Sequence, residues 1–364
     1  MKINILSNTF FNIYNFRIDL IKFLIHELNA DVNLIANFDG YEKLIKIRKT
    51  KKKNINFYSR SLNPFYNLKS LFNIYNFFKA KKNETILSYT FKCNFLINFL
   101  NFRHNYKIIS NITGMGDMYL SKNIFKIFIF KIYCKLLNNS QIIVCQNKDD
   151  KKILCNKNIN LKKKIIVING SGINTNKYKL KSIDHNNKNF LMVARIIKEK
   201  GILEFLGAVK NFKKNNSNHK VSFTLIGDNY NDNFFKKIET LLINKNIKYI
   251  KNSNNIKNYI QNSFCCVLPS YREGLSKFLL ESIASGRPII TSNVPGCKEL
   301  VINNKSGFLL KSINSIELSN CFSKVINLSK NEFSNFSKKS REISKKYESS
   351  IINSKYLYII KKLI

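Results

Sequence analysis

Three observations predict an α/β protein built from two doubly wound, parallel-sheet domains. Short apolar runs alternate with longer stretches of helical period through the first half of the chain, and this β-α-β-α order calls for a parallel sheet covered by helices on both faces. The alternation lapses over the polar residues 174–189 and then restarts. The length, 364 residues, is that of about two domains.

The elements follow in order. Residues 2–6 (KINIL) read as a strand, and 14–28 carry a helical period. Strands recur at 32–36, 55–58, 85–88, 107–112, 142–145 and 165–168, with helical patterns in most of the gaps. In 124–137 (IFKIFIFKIYCKLL) the lysines stand at 126, 131 and 135, with Lys122 just ahead. Steps of four and five hold these charges on one side of a helix. Its other side is then apolar and turned to the core, or resting on anionic lipid. The stretch 174–189 reads as the inter-domain linker, which gives domains 1–175 and 176–364. Strands then fall at 190–194 (FLMVA), 221–227, 247–250, 264–269 (FCCVLP) and 288–291. Helices fall at 202–212, 234–243, 256–262 and 276–285, the last stopped by Gly286 with Pro288 two residues on. A final helix over about 345–364 is expected to pack back on the first domain. Ligands of such sheets bind beyond the carboxyl ends of the strands, so the expected site is the cleft between the two domains.

Composition narrows the function classes. A chain that is 44% hydrophobic and 23% charged is neither disordered throughout nor a multi-span membrane protein. The net charge is +40, and Trp is absent. Residues 1–175 hold 29 basic against 9 acidic side chains and 176–364 hold 33 against 13, so each half carries +20. An even spread favours a compositional origin over a dedicated nucleic-acid surface, and leaves attraction to an anionic membrane open. The eight cysteines form no C-x-x-C pair and no zinc-spaced cluster, as expected of idle thiols in a reducing cytoplasm. The first apolar run is too short for a signal peptide, and no uncharged apolar stretch is long enough to span a bilayer. The expected location is the cytoplasm.

Chemistry concentrates in 269–299 (PSYREGLSKFLLESIASGRPIITSNVPGCKE). A buried strand ends at Pro269, a turn presents Glu273 and Gly274, and a helix begins. Glu281 lies about two helical turns further in. The N–H groups at the helix start form an anion site, and Gly274 lets a phosphate or a sugar approach the backbone. A carboxylate can accept hydrogen bonds from two neighbouring hydroxyls, as on a ribose or a hexose. Two carboxylates flanking an anion pocket therefore point to a nucleotide-sugar. The second signal is RIIKEKG at 195–201. Arg195 ends a strand and Lys200 precedes a helix; together they can clamp a diphosphate and stabilise the charge that grows on it as it departs.

These segments resemble the retaining glycosyltransferases of family 4, which have the GT-B fold of two Rossmann-like domains. The run 273–281 (EGLSKFLLE) is similar to that family's E-x7-E pattern, 195–200 to its R-x4-K pair, 295–299 (PGCKE) to the turn that follows, and 169–173 (NGSGI) to its hinge segment. Residues 8–17 (NTFFNIYNFR) resemble the opening of a branch that builds bacterial lipopolysaccharide and capsule. By this resemblance, Glu281 binds the nucleotide ribose and Glu273 the donor sugar, while Arg195 and Lys200 neutralise the diphosphate. Gly274, Leu275 and Ser276 complete the donor site. Thr113, Gly114, Asp117 and Gly172 are candidate acceptor or donor pocket residues.

The reaction implied moves a sugar from a nucleotide diphosphate, a UDP-linked hexose or N-acetylhexosamine, to a lipid-linked or saccharide acceptor with retention at the anomeric carbon. It implies no metal and no other cofactor, and the chain has no D-x-D site. It also implies a peripheral position at the cytoplasmic face of the inner membrane. The chain departs from the family where SNTFF at 7–11 replaces a Gly-Gly loop, and where NITGMGD at 111–117 lacks a histidine. The leaving phosphate is then expected to take the acceptor proton. His26, His104, His185 and His219 show no catalytic pattern. GMG at 114–116 is not a dinucleotide motif, because position 119 is Tyr. The alternatives are a sugar-nucleotide epimerase on the same fold and a basic nucleic-acid-binding protein; no specific nucleic-acid motif is present to favour the latter.

Overall fold

The computed structural model describes residues 1–58, 63–81, 83–181, 185, 188–216, 220–244 and 247–363, with the side chains of all of these except Pro64, Asp117 and Asn244. The chain forms two units, Met1–Gly172 with Ser349–Ile364, and Ile173–Glu348.

The first unit holds strands β1 (Lys2–Thr9), β2 (Asp31–Asn37), β3 (Thr50–Asn54), β4 (Thr85–Tyr89), β5 (Lys107–Ile112), β6 (Ile142–Cys145) and β7 (Ile165–Val167). They pair in parallel in the order β3-β2-β1-β4-β5-β6-β7. Its helices are α1 (Phe10–Leu28), α2 (Pro64–Phe78), α3 (Phe91–His104), α4 (Gly116–Leu120), α5 (Ile124–Leu136) and α6 (Lys148–Lys157). Successive strand residues alternate faces. Ile3, Ile5, Leu34, Leu87 and Ile109 meet α1 on one face. Leu6, Ile35, Ile86 and Ile108 meet α2 and α3 on the other. Ile112, Ile143 and Cys145 continue that second face under α5 and α6.

The second unit holds β8 (Lys188–Val193), β9 (Val221–Ile226), β10 (Lys248–Ile250), β11 (Cys265–Leu268), β12 (Ile289–Ser292) and β13 (Gly307–Leu310), in the order β10-β9-β8-β11-β12-β13. Its helices are α7 (Ile202–Asn215), α8 (Asp232–Asn244), α9 (Ile256–Asn262), α10 (Lys277–Ala284), α11 (Ser315–Ile326) and α12 (Lys330–Lys345). Phe190, Phe205, Phe212, Phe223 and Phe322 pack together at its centre, with the Phe190 and Phe322 rings 4.8 Å apart. Burial of each contributes roughly 1.5–3 kcal/mol.

The last helix, α13 (Ser349–Lys361), belongs to the first unit. Ile352, Tyr356, Ile359 and Ile360 are buried beside α1. The Tyr356 hydroxyl donates to Asn111 Oδ1 at 2.8 Å, and Asn111 Nδ2 donates to the Ser88 carbonyl at 3.1 Å, so the helix is tied to the sheet by a buried polar chain.

Several expectations change. The third strand is Thr50–Asn54 rather than 55–58. As an edge strand it needs only backbone pairing with β2, so Lys51, Lys52 and Lys53 stay in solvent, while Ile55 and Phe57 bury just beyond it. The division falls after Gly172, so the described part of the expected linker belongs to the second unit, while 182–184, 186 and 187 lie outside the described residues. Thr175 donates its N–H to Glu348, and Arg341 donates to the carbonyls of Thr175, Tyr178 and Ala284, which fastens this stretch to α10 and α12. In α5 only Phe130, Tyr133 and Cys134 are buried; the apolar residues of its first turns face outward.

Candidate active site

In each doubly wound sheet the strand order reverses once, and loops leaving the strands on either side diverge to open a crevice. In the second unit the reversal lies between β8 and β11. The loop after β8 carries Arg195 and Lys200, and the loop after β11 carries Glu273, Gly274, Leu275 and Ser276. Topology thus brings the two sequence signals to one place.

Contacts hold them there. Tyr271 N–H donates to the Glu199 carbonyl at 3.0 Å, and Ser270 Oγ donates to the same carbonyl at 3.1 Å. Gly201 has φ +72°, and a Cβ there would meet the Pro269 carbonyl oxygen at 2.1 Å. Only glycine allows this approach. Lys200 Nζ donates to Glu273 Oε1 at 2.5 Å, with both side chains about 15% exposed.

The loop from Glu273 to Ser276 is held from the other side by the Pro295–Gly296 turn. Glu273 N–H donates to the Pro295 carbonyl at 3.1 Å and Ser276 N–H to the Gly296 carbonyl at 2.9 Å. Gly296, at φ +78°, stands so close that a Cβ would lie 2.5 Å from the Glu273 carbonyl oxygen. Gly296 N–H in turn donates to Glu299 at 2.8 Å. The N–H groups flanking the Gly274–Leu275 pair are therefore occupied. Beneath them Cys297 is fully buried; burial, reinforced by the Glu273 charge, raises its thiol pKa and keeps it neutral.

Glu273 sits in the loop, and the helix itself starts at Lys277 with Ser276 as its cap, accepting from Leu279 N–H at 3.4 Å. Glu281 lies on that helix. Its Oε1 accepts from the Tyr178 hydroxyl at 2.8 Å and stands 3.6 Å from Lys277 Nζ. These partners hold a carboxylate ready to accept from a diol. Tyr178 had no sequence signal, because its partner is 103 residues away. Arg195 is exposed and its guanidinium stands 5.5 Å from the Tyr230 ring centroid, on the side toward β9. Arg195 and Lys200 are thus engaged in different directions.

In the first unit the order reverses between β1 and β4. β1 runs to Thr9, whose Oγ1 accepts from Asn12 N–H at 3.2 Å, so α1 begins directly where a Gly-Gly loop was the family expectation. Arg17, only 5% exposed, has its guanidinium carbon 3.9 Å from the ring centroid of Tyr89, the last residue of β4. Thr113 and Gly114 follow β5 at the carboxyl end of the sheet. Asp117 is in α4, with its side chain outside the described residues. Gly172 has a packing role: at φ +75°, a Cβ would lie 2.8 Å from Ser349 Cα of α13. His26 contacts Glu27, His104 packs against Tyr75 and Tyr106, and His185 packs against Phe264 and Phe333. His219 lies outside the described residues.

Two doubly wound, parallel-sheet units of this kind define a GT-B architecture. Residues 173–345 match the glycosyl transferases group 1 family. This part of the chain is a domain of that family, and the chain is a glycosyltransferase. Over 100% of its length it is 26% identical to the N,N'-diacetylbacillosaminyl-diphospho-undecaprenol alpha-1,3-N-acetylgalactosaminyltransferase of Campylobacter jejuni, 99% of which is covered. Over 48% of each chain it is 29% identical to the UDP-Gal:alpha-D-GlcNAc-diphosphoundecaprenol alpha-1,3-galactosyltransferase of Escherichia coli. The crystal structure of Anabaena HepE in complex with UDP and glucose superposes with TM-score 0.81 over 100% of both chains at 15% identity, which shows the fold.

Proposed function

We propose that the protein transfers a hexose or N-acetylhexosamine from a UDP-sugar to a lipid-linked saccharide acceptor, with retention at the anomeric carbon, in bacterial cell-surface polysaccharide biosynthesis. The observation that carries the donor half is the meeting of Lys200, Glu273 and the Gly274–Leu275 backbone at the reversal of the second sheet. The acceptor class rests on two relatives, both of which act on sugars linked to undecaprenyl diphosphate by name.

In this reading Glu281 accepts hydrogen bonds from the ribose hydroxyls and Glu273 from those of the donor sugar. The diphosphate lies near the N–H groups of Gly274 and Leu275, with Ser276 beside them. Lys200 exchanges part of its contact with Glu273 for the diphosphate, and Arg195 swings from Tyr230 to the same anion. As the bond from the anomeric carbon to the β-phosphate oxygen breaks, the electron pair goes to that oxygen, and the two cations stabilise the charge. They fill the role that a divalent ion takes elsewhere, so no metal is required. The departing phosphate oxygen takes the proton of the acceptor hydroxyl as that hydroxyl bonds to the anomeric carbon on the same face. The first unit binds the acceptor, with Thr113, Gly114 and Asp117 as candidate pocket residues, and the enzyme works at the cytoplasmic face of the inner membrane.

The test is a thermal-shift screen with UDP, GDP, ADP, several UDP-sugars and NAD. A ligand that binds the native state raises Tm by mass action. A rise with UDP and its sugars that disappears in Glu281→Ala supports the reading. No rise with any nucleotide in a folded sample overturns it. Transfer without release of free sugar in the absence of acceptor separates this reaction from an epimerase.

A further inference from the structure

The layer of helices over one face of the first sheet is apolar on its outer side. α2 and α3 bury their inner residues against Leu6, Ile35, Ile86 and Ile108, and α5 buries Phe130 and Tyr133 on the continuation of the same face. α2 touches α3, and α3 touches α5. Outward, Ile124 of α5 is 84% exposed, and Ile127 and Phe128 follow it on the same side at steps of three and four. Phe65 of α2 is 80% exposed, with Leu68 and Phe72 along the same stripe. Phe102 of α3 is 78% exposed, one turn after exposed Phe99. Scattered single apolar residues need no explanation, but stripes on three touching helices do.

The charge of this layer selects the occupant. Not one Asp or Glu occurs in α2, α3 or α5. Lys69, Arg103, Lys131 and Lys135 are exposed on these helices, and Lys122 just ahead of α5. In α5 the outward stripe runs from Ile124 through Phe128 to Lys131 and Lys135. A second copy of this face would bring lysine against lysine with no carboxylate to offset it. Anionic headgroups above an acyl region offer both the counter-charge and the apolar phase. Among the described residues no helix is long and apolar enough to cross a membrane, so the contact lies in the interface plane.

We infer that the outer side of α2, α3 and α5 docks on an anionic lipid bilayer. The inference deepens the proposed action on a lipid-linked acceptor, and rests on it for its purpose alone, because docking is read without substrate.

The experiment is co-sedimentation of the full chain with phosphatidylcholine vesicles, with and without phosphatidylglycerol. The protein is expected to pellet with the anionic vesicles. A combined Phe65→Ser, Phe102→Ser, Phe128→Ser variant is expected to partition about tenfold less or weaker still, since three exposed aromatics lose their apolar phase. Lys122→Glu with Lys131→Glu is expected to lose the preference for phosphatidylglycerol. If the apolar variant does not keep the wild-type Tm, the charge pair and Phe102→Ser alone decide. Wild-type protein left in the supernatant, or variants that pellet like wild type, overturn the inference. So does a wild-type dimer in solution that the apolar variant turns into a monomer while neither binds vesicles. Transfer to a detergent-solubilised acceptor is expected to survive in the variants. Vesicle binding by an enzyme that transfers to no acceptor would overturn the proposed reaction and leave the docking face standing.

Discussion

Lys200 Nζ and Glu273 Oε1 stand 2.5 Å apart across 73 residues of sequence, joining the loops that leave the two strands beside the reversal of the second sheet. In the proposed reaction the pair couples the residue that would meet the leaving diphosphate to the residue that would meet the donor sugar. It also keeps each charge neutralised before the donor arrives.

Lys200→Ala is expected to lower kcat by about 10²–10³ while raising the donor KM far less, because charge grows on the diphosphate only as the bond breaks. The variant is expected to lose about 1–3 kcal/mol of stability, since Glu273 is left half-buried without its cation. Steady-state kinetics and a denaturant titration measure the two effects. Normal turnover would remove Lys200 from the site.

Glu281→Ala is expected to weaken UDP binding about tenfold or more in calorimetry, with Tm in the absence of ligand little changed. Tyr178→Phe, which removes the 2.8 Å hydrogen bond to Glu281, is expected to weaken it by a smaller factor. Equal affinity in wild type and Glu281→Ala would refute the ribose role.

Gly296→Ala places a Cβ about 2.5 Å from the Glu273 carbonyl oxygen at a positive φ. A loss of about 2 kcal/mol or more is expected, with the donor site displaced. A melting curve and UDP affinity together check this; a variant that matches wild type in both would show that the turn does not hold Glu273.

Seven cysteines are buried and Cys155 is half-buried. Burial raises the thiol pKa of Cys134 and Cys321 to about 11 and of Cys93 to about 12. A maleimide at neutral pH is therefore expected to label Cys155 in the native protein and all eight cysteines after denaturation. Fast native labelling of Cys297, read by peptide mass, would contradict its position beneath the site.

Arg17→Ala is expected to cost about 2 kcal/mol, because the guanidinium over the Tyr89 ring is almost wholly withdrawn from water. Arg17→Lys is expected to recover only part, as an ammonium lacks the planar face. Equal midpoints for wild type and Arg17→Ala in urea would show that the contact adds nothing.

Much of this was legible in the residue order. Buried parallel strands are short apolar runs, so 107–112 and 142–145 coincide with β5 and β6. The spacing of Glu273, Glu281, Pro295 and Gly296 singles out the loop after β11 and the turn that holds it. Edge elements were less legible: Lys51, Lys52 and Lys53 carry no apolar signal, yet their backbone pairs with β2. The GFLL of β13 holds no β-branched residue, unlike the equally short IIVC of β6 and IITS of β12, and gives a weaker strand signal.

Local order in the sequence determined the fold class and marked the segments of the candidate site, because apolar period and motif spacing are properties of neighbouring residues. Tertiary structure alone decided which distant groups meet: Lys200 with Glu273, Tyr178 with Glu281, and Tyr356 of the last helix with Asn111 of the first unit. It also decided that Ile124, Phe65 and Phe102 face outward. A helical period tells which residues share a side, but only the packing of whole layers tells which side the core covers.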